Sequence, residues 1–465
     1  MSKIKKKPIA VAALIVAVLL ANIYILFYYH RLPTDIPTVL SFNFMSDSAM
    51  DIQLFFSDND VFSEEKSSTV SYNNVNNEKL INFVVPTDTQ YIRLDFGDAA
   101  ASFTISDMAL SAGNLRFDIE NASLLSPVFT NSVTALYEQD GKISVVTDNN
   151  DPFVAFSIGD KLANTLSTAT AMIQRKNLAW SIVLCLCLDI AIVFLLMNIN
   201  TVFSVAGYIY REWSMFWILM KNDFQARFAG SYFGIFWAFV QPVIMMVLYW
   251  FVFQVGLRAG NVSAYPFILF LMSGLIPWMY FSEALSSSTN VLSEYSYLVK
   301  KVIFNIEILP VIKVASSIFI HLFFVAVIII MCAFYGYAPD LYTLQLVYYI
   351  LCMIFLTMGL AYVFSAVTAF FKDMSQIVNI LLTIGVWLTP IMWNPDGVLS
   401  DTLTQIFRLN PMYYIVDGFR DSLLNKVWFW DKPGWTCYFW IFSIVVYVGG
   451  NKIFNKLRVH FADVL

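Results

Sequence analysis

Charged side chains are scarce in this sequence. They make up 13% of the 465 residues, against 58% hydrophobic residues, whereas a soluble domain carries about 25% charged residues. This composition argues against an ordinary soluble enzyme and predicts a membrane protein. The formal net charge of -5 is unevenly distributed, because residues 31–176 hold 19 acidic and 9 basic side chains and the rest of the chain has an excess of five basic ones. An acidic, polar block therefore lies within a basic, apolar chain.

Cysteine and histidine are too few and too scattered for several kinds of site. The five cysteines lie in or beside apolar runs and none lies in the acidic block, which must fold without disulfides. Cys185 and Cys187 lack the spacing of a tetrahedral zinc site, so no metal site is expected. The three histidines lie far apart, which gives no nucleophile–base cluster. No G-x-x-x-x-G-K-[ST] motif occurs, so this chain is expected to bind no nucleotide.

Long apolar runs predict an α-helical membrane protein with about eight transmembrane helices. The first run, 9–29, follows four lysines in a cytoplasmic segment 1–8 and lacks a small-residue cleavage site, which favours a retained anchor over a cleaved signal peptide. The second covers 178–199. Six more are expected at about 232–255, 266–286, 311–335, 342–370, 376–394 and 436–454. Lysine and arginine concentrate on one side of these spans, which predicts that both termini are cytoplasmic.

The same topology places the acidic block, residues 30–177, outside the cytoplasm. Polar and turn-forming residues there separate short segments of strand character, which is typical of an all-β sandwich. The predicted strands are Val39–Phe44, Ile52–Phe56, Leu80–Val85, Tyr91–Phe96, Ser102–Leu110 and Lys142–Thr147. The outer stretch 395–434 has a different character, and its mixture of aromatic and charged residues predicts short re-entrant or interfacial helices.

The most distinctive part of the acidic block is a strand with an Arg-x-Asp pattern that leads into a Gly-Asp turn. Arg93, Asp95 and Asp98 carry this pattern, which partly resembles β-sandwich modules attached to bacterial surface-polysaccharide proteins. Those modules usually have proline where Phe96 stands here. The resemblance implies a carbohydrate-binding jelly roll in which these three residues contact glycan. The alternative is a spacer domain whose charges keep it soluble.

Several motifs follow one another in residues 203–465. Residues 200–231 mix aromatic and charged residues, which predicts a cytoplasmic helix along the membrane interface. The motifs are Arg227 with Gly230-Ser231, Trp237 with Gln241-Pro242, Ser273–Trp278, Val299–Pro310, Phe370–Met374, Thr389–Ile391 and Asn410–Met412. Together and in this order they strongly resemble the ABC-2 type permeases that export O-antigen, teichoic acid and capsular polysaccharides. The resemblance implies a six-helix ABC-2 core in residues 232–465.

The resemblance also implies partners and a location. ATP and Mg²⁺ would be bound by a separate cytoplasmic ATPase subunit, so the permease itself would be no enzyme and would hold no cofactor. Two permeases would join two ATPases in the bacterial cytoplasmic membrane, and a lipid-linked glycan would pass between the permeases; no nucleic acid is involved. The residues expected to couple the permease to the ATPase are Arg211, Lys221, Arg227, Lys300, Lys301 and Glu307.

Aromatic residues and prolines within the predicted core are candidates for a channel wall or a gate. They are Trp237, Gln241, Pro242, Pro277, Trp278, Tyr280, Trp387 and Pro390. Aromatic faces can stack on sugar rings, and prolines free backbone carbonyls where helices pack or line a cavity. The alternatives are aromatic belts at the membrane interface and simple structural kinks.

Other functions fit the sequence less well. An ABC-2 exporter of a small lipid or drug is the nearest alternative. A membrane-bound glycosyltransferase or polymerase that assembles the same glycan would need acidic catalytic residues near the membrane, and no D-x-D motif occurs there. An anchored sensor or scaffold would leave six of the eight spans without a purpose.

Overall fold

The computed structural model describes residues 3–465 except positions 32–36, 60, 98–99, 114, 122–124, 149, 228–229, 231, 257–264, 301–304 and 396–397. The chain divides into two compact units, Leu26–Ile182 and Met1–Ile25 with Val183–Leu465. Helices α1 (Lys3–His30) and α2 (Gly159–Met197) each contribute to both units. The first unit is otherwise built of strands and the second of helices.

Eleven described strands form two antiparallel sheets. They are β1 (Thr38–Ser46), β2 (Met50–Ser57), β3 (Ser67–Tyr72), β4 (Lys79–Val85), β5 (Tyr91–Asp95), β6 (Ser102–Ala112), β7 (Leu115–Asp118), β8 (Phe129–Asn131), β9 (Val133–Gln139), β10 (Lys142–Thr147) and β11 (Phe153–Ser157). One sheet has the order β4-β1-β6-β10-β9, with β7 beside β6, and the other has the order β3-β2-β5-β11-β8. The predicted all-β sandwich is confirmed. Each of the six segments predicted as strands falls on a strand, although β5 ends one residue early.

Side chains that point alternately inward and outward create the core of the sandwich. Along β4, Ile81, Phe83 and Val85 are buried while the residues between them are exposed. Aromatic rings fill the centre, where the Phe103 ring centroid lies 4.3 Å from that of Phe96 and 5.2 Å from that of Phe44. Fully burying one such side chain contributes about 1.5–3 kcal/mol. This core accounts for a stable sandwich without disulfides.

The helical unit continues the chain from α2. Its further helices are α3 (Ile199–Arg211), α4 (Trp213–Ala226), α5 (Trp237–Trp250), α6 (Phe267–Thr289), α7 (Ile308–Ser316), α8 (Ile318–Phe334), α9 (Gln345–Phe370), α10 (Met374–Leu388), α11 (Asp401–Arg408), α12 (Pro411–Arg420) and α13 (Pro433–Leu457), with single helical turns at Val291–Glu294, Ser296–Val299 and Phe461–Val464. Six helical stretches of the described chain are long and apolar enough to cross a membrane, and two shorter apolar ones, Ile15–His30 and Met374–Leu388, accompany them. The helical membrane architecture is confirmed.

Two helical segments differ from the prediction. Helix α2 begins at Gly159, almost twenty residues before the predicted start of the second span. Its first turns carry serine, threonine and charged residues, so their hydropathy is too low to predict a membrane span. Leu162 in these turns nevertheless packs into the sandwich core. The predicted single interface helix at 200–231 is instead two helices, α3 and α4, because Glu212 between them has a non-helical backbone, with φ -110° and ψ 35°.

Two glycines allow α9 and α13 to pack closely. A Cβ atom on Gly359 would lie 2.9 Å from the backbone of Tyr447, and one on Gly450 would lie 2.5 Å from the Gly359 carbonyl oxygen. Without a driving force from water, helices in a membrane associate mainly by such close packing of small residues. The contact fixes α13 against the centre of the unit, where α6 packs against α8, α9 and α12.

The stretch predicted to hold short helices contains α11, α12 and a π-helical turn at Asp421–Asn425. Asn410 caps α12 by accepting from the Met412 N–H, and Pro411 occupies the first turn, where a missing N–H costs nothing. At the other end of α12, the buried Arg420 donates to the carbonyl oxygen of Ile391. These contacts hold α12 within the helical unit.

Candidate functional site

A cavity of about 1130 Å³ lies among α4, α5, α6, α8 and α10. Six of the eight predicted channel residues line it: Trp237, Gln241, Pro242, Trp278, Tyr280 and Trp387. The other two, Pro277 and Pro390, are buried outside its lining. The cavity thus gathers residues that are up to 150 positions apart in the sequence.

Aromatic side chains form much of the cavity wall. Trp237 and Trp387 are 45% and 54% exposed, whereas Trp278 is buried. Gly385 makes room for Trp278, because a Cβ atom at that position would lie 2.6 Å from the indole Cη2. Amide and hydroxyl groups also line the cavity: Gln241, Ser282, Ser286, Ser287, Asn290, Ser317, Asn379 and Thr383. The wall therefore offers both flat apolar faces and hydrogen-bonding groups.

A cluster of charged residues also lines the cavity; we call it the ion network. Its members are Asp223, Arg227, Glu283, Glu294 and Lys313. Lys313 Nζ lies 2.8 Å from Asp223 Oδ1 and 2.5 Å from Glu294 Oε2. Arg227 lies 3.1 Å from Asp223 Oδ2 and also pairs with Glu283. Three carboxylates thus share two cations.

Hydrogen bonds from neutral groups complete the ion network. Ser316 Oγ donates to Asp223 Oδ2 at 2.6 Å, and Tyr295 Oη donates to Asp223 Oδ1 at 2.8 Å. Burial alone raises the pKa of the Asp223 carboxyl, but the hydrogen bonds from Lys313 and Ser316 and the nearby positive charges outweigh it and lower the pKa overall. Burial and the negative charge of Asp223 both raise the pKa of Tyr295. Asp223 is therefore held ionised at neutral pH.

The ion network connects the interface helix with the core. Asp223 and Arg227 belong to α4 and its end, Glu283 to α6, Glu294 to the turn after α6, and Lys313 to α7. Arg227 therefore links the end of α4 to Glu283 of α6, and Lys313 links α7 to Asp223 of α4.

Sequence similarity to known proteins covers the helices around this cavity. Residues 214–424 match the model of the family described as ABC-2 type transporter. This part of the chain is an ABC-2 type transporter domain. Two proteins of Klebsiella pneumoniae named O-antigen export system permease protein RfbA are 27% and 25% identical to the chain, each over 252 residues that make up 53% of this chain and 93% of the relative. A protein of the same name from Myxococcus xanthus is 26% identical over 203 residues, or 43% of this chain and 77% of the relative.

The predicted coupling residues differ in their surroundings. Arg211, Lys221 and Lys300 are exposed, whereas Arg227 belongs to the ion network and Lys301 lies outside the described residues. Glu307 also points inward. Its side chain is 12% exposed, and Arg458 donates to it at 2.7 Å.

In the sandwich, Arg93 and Asp95 are engaged with each other. Arg93 donates twice to Asp95, at 2.7 Å and 2.5 Å, and its guanidinium lies 3.9 Å above the Phe153 ring. Burial raises the pKa of Asp95 despite the hydrogen bond and charge of Arg93, which lower it. Asp98 lies outside the described residues. The pair forms a rigid polar patch on the outer face of its sheet.

Sequence reasoning missed Glu283, Glu294 and Lys313 as site residues. Glu283 and Lys313 each stand within an apolar stretch, and ionisable residues in such stretches are expensive and often functional. That signal could have singled out both of them. It could not have paired them, because Arg227, the partner of Glu283, and Asp223, the partner of Lys313, belong to α4 and its end.

Proposed function

We propose that this permease moves a lipid-linked polysaccharide of the O-antigen, capsule or teichoic-acid type outward across the bacterial cytoplasmic membrane. The observation that carries the proposal is the cavity, whose wall contains indole and phenol rings as well as amides and hydroxyls. Rings that stack on sugar faces and groups that bond sugar hydroxyls both suit a glycan. The three relatives described above carry names that refer to O-antigen export.

A separate ATPase subunit supplies the energy in this proposal, since the sequence contains no P-loop motif. ATP and Mg²⁺ would bind to that subunit. The exposed cations Arg211, Lys221 and Lys300 are available to contact it. Arg227 and Glu307 would act indirectly, by holding α4 and the chain before α7 in place.

A second copy of the permease completes the path. Helices α5 and α10 line the cavity on one side and expose apolar side chains on the other, including Ile244, Val247, Ile380 and Ile384. A polar cavity between such helices should not open onto lipid, because hydrocarbon cannot satisfy its hydrogen-bonding groups. Packing against the same helices of a partner would close the cavity to lipid.

The sandwich would lie outside the cytoplasm, with both termini inside, because lysines and arginines flank the spans on the cytoplasmic side. There it would contact the emerging glycan near Arg93 and Asp95. Since these two residues form one ion pair, replacing both leaves neither of them as an unpaired buried charge; Asp151, which lies 3.6 Å from Arg93, is 62% exposed and stays in contact with water. Arg93→Ala with Asp95→Ala should shorten or reduce surface polysaccharide. Arg116→Ala with Asp118→Ala is the matched control, because that pair has the same spacing but is exposed; equal polysaccharide in both variants would favour a spacer.

Purification of the tagged permease tests the exporter function. In mild detergent it should carry an ATP-hydrolysing subunit, and Lys221→Glu with Lys300→Glu should weaken this association, while the sandwich variant Lys66→Glu should not. Absence of any associated ATPase activity would refute the exporter. An exporter of small lipids or drugs would differ in one respect: its ATPase would respond to the lipid without attached sugar.

A further inference from the structure

His321 of α8 is a polar side chain in the cavity wall that the coupling and channel predictions did not include. The residue is 3% exposed, and its ring centroid lies 5.0 Å from that of Tyr280 and 5.9 Å from that of Phe419. The backbone of Ile276 is the polar group beside it. The imidazole therefore stands at the edge of the cavity among aromatic rings.

Neither ring nitrogen of His321 makes a hydrogen bond of good geometry with any residue that the structure describes, and the Ile276 backbone offers the ring only a weak contact. Most buried polar groups have partners, so an unsatisfied one calls for an explanation. The penalty is greater within a membrane, where no bulk water replaces the missing partner. Tyr280, by contrast, is satisfied, because its Oη donates to the Val314 carbonyl oxygen at 3.0 Å.

Polar groups lead from the ion network to His321. Arg227 donates to Ser317 Oγ at 3.1 Å, and Ser317 lies one helical turn before His321. On α6, Glu283 and Tyr280 are likewise one turn apart and line the same cavity. The two helices thus present a polar stripe that begins at the charged residues and ends at His321. A path for hydrocarbon chains would need no such stripe.

We propose that His321 hydrogen-bonds to hydroxyl groups of sugar residues as they pass through the cavity. A neutral imidazole has one donor and one acceptor, and a hydroxyl can serve either of them. An apolar cargo would leave both nitrogens unsatisfied. This inference rests on the proposed function and makes it more specific, because it assigns the recognition of the cargo to its polyhydroxylated part.

The test uses the full permease with its ATPase subunit in lipid nanodiscs, and the probe is an undecaprenyl-pyrophosphate-linked oligosaccharide. We expect His321→Leu to raise the half-maximal concentration for ATPase stimulation by about fivefold or more, which corresponds to the loss of one net hydrogen bond. His321→Gln keeps a donor and an acceptor and should restore much of the response.

Thermal unfolding separates this role from a structural one. An apolar replacement of an unsatisfied group should leave the unfolding temperature unchanged or raise it. Ser443→Ala is the matched control, because Ser443 is also buried and without a partner among the described residues but does not line the cavity. It should preserve both stability and stimulation. A His321→Leu variant that melts earlier than the wild type would indicate a structural histidine and overturn the proposal.

Three further outcomes are decisive. If the wild type responds to the glycan-linked lipid and His321→Leu responds equally, the inference about His321 is wrong and the proposed function stands. If undecaprenyl pyrophosphate without sugar shows the same fivefold shift, the histidine contacts the phosphates and not the sugar. If no glycan-linked lipid stimulates the wild type, the proposed function itself fails.

Discussion

Replacing Lys313 with methionine tests whether the ion network stabilises the helical unit. The lysine and Asp223 are 7% and 2% exposed, so their 2.8 Å contact is shielded from solvent. Removing one partner of a buried ion pair costs about 3–5 kcal/mol, mainly because the other charge stays buried. Asp223 keeps Arg227 at 3.1 Å, so we expect the lower end, about 3 kcal/mol. The ion pair between Lys313 and Glu294 should add little to stability, because the Glu294 side chain is 47% exposed.

Thermal unfolding in detergent measures this effect. A loss of about 3 kcal/mol should lower the unfolding temperature by roughly 3–5 °C, because the entropy of unfolding grows with chain length. Lys300→Met removes an exposed lysine and should stay within about 0.5 kcal/mol of the wild type. Adding Asp223→Asn to Lys313→Met should cost less than the sum of the two single changes, with a coupling of about 2 kcal/mol. Additive effects, or a Lys313→Met variant as stable as the wild type, would refute the reasoning.

The remaining predictions concern pH, helix packing and the residues near the C-terminus. The lowered pKa of Asp223 favours the folded state above the ordinary value of 3.8, so the stability difference between wild type and Asp223→Asn should shrink as pH falls below that value; a constant difference would contradict it. Gly359→Ala should lower the unfolding temperature by the equivalent of about 1–3 kcal/mol because its Cβ meets backbone, while Gly449→Ala, with open space around it, should not. Glu307→Arg and Arg458→Glu should each destabilise, and their combination should recover stability by restoring the pair; no recovery would mean that the pair contributes nothing.

Local sequence patterns were sufficient to predict most of the strands and helices of this protein. The alternation of apolar and polar residues along β5 and the apolar runs of α6 and α9 predict a strand and two helices correctly, because each pattern reflects the environment of one segment. The prediction failed where an element lacks such a pattern. The first turns of α2 are rich in serine and threonine, and the break between α3 and α4 depends on the backbone of Glu212.

The site was predicted in part. Tryptophans and prolines stand out in apolar spans, and six of the eight residues selected on that basis line the cavity. Charged residues were harder to interpret. Glu307 has the sequence context of an exposed elbow, but its partner Arg458 is 151 residues away and holds it inside. No local signal reveals such a pairing.

The sequence by itself determined that the chain crosses a membrane, that it carries an acidic β-sandwich between its first two spans, and that its later spans contain the motifs of an ABC-2 permease. These properties depend on composition, periodicity and residue order. Tertiary structure decided which charges neutralise each other and which polar groups remain without a partner. Asp223 pairs with Lys313 and Arg227, while the ring nitrogens of His321 make no hydrogen bond of good geometry with a described residue. The sequence cannot reveal these pairs, because the energy of an ion pair or hydrogen bond depends on the distance between side chains on different helices. That distance is fixed only when the helices pack together.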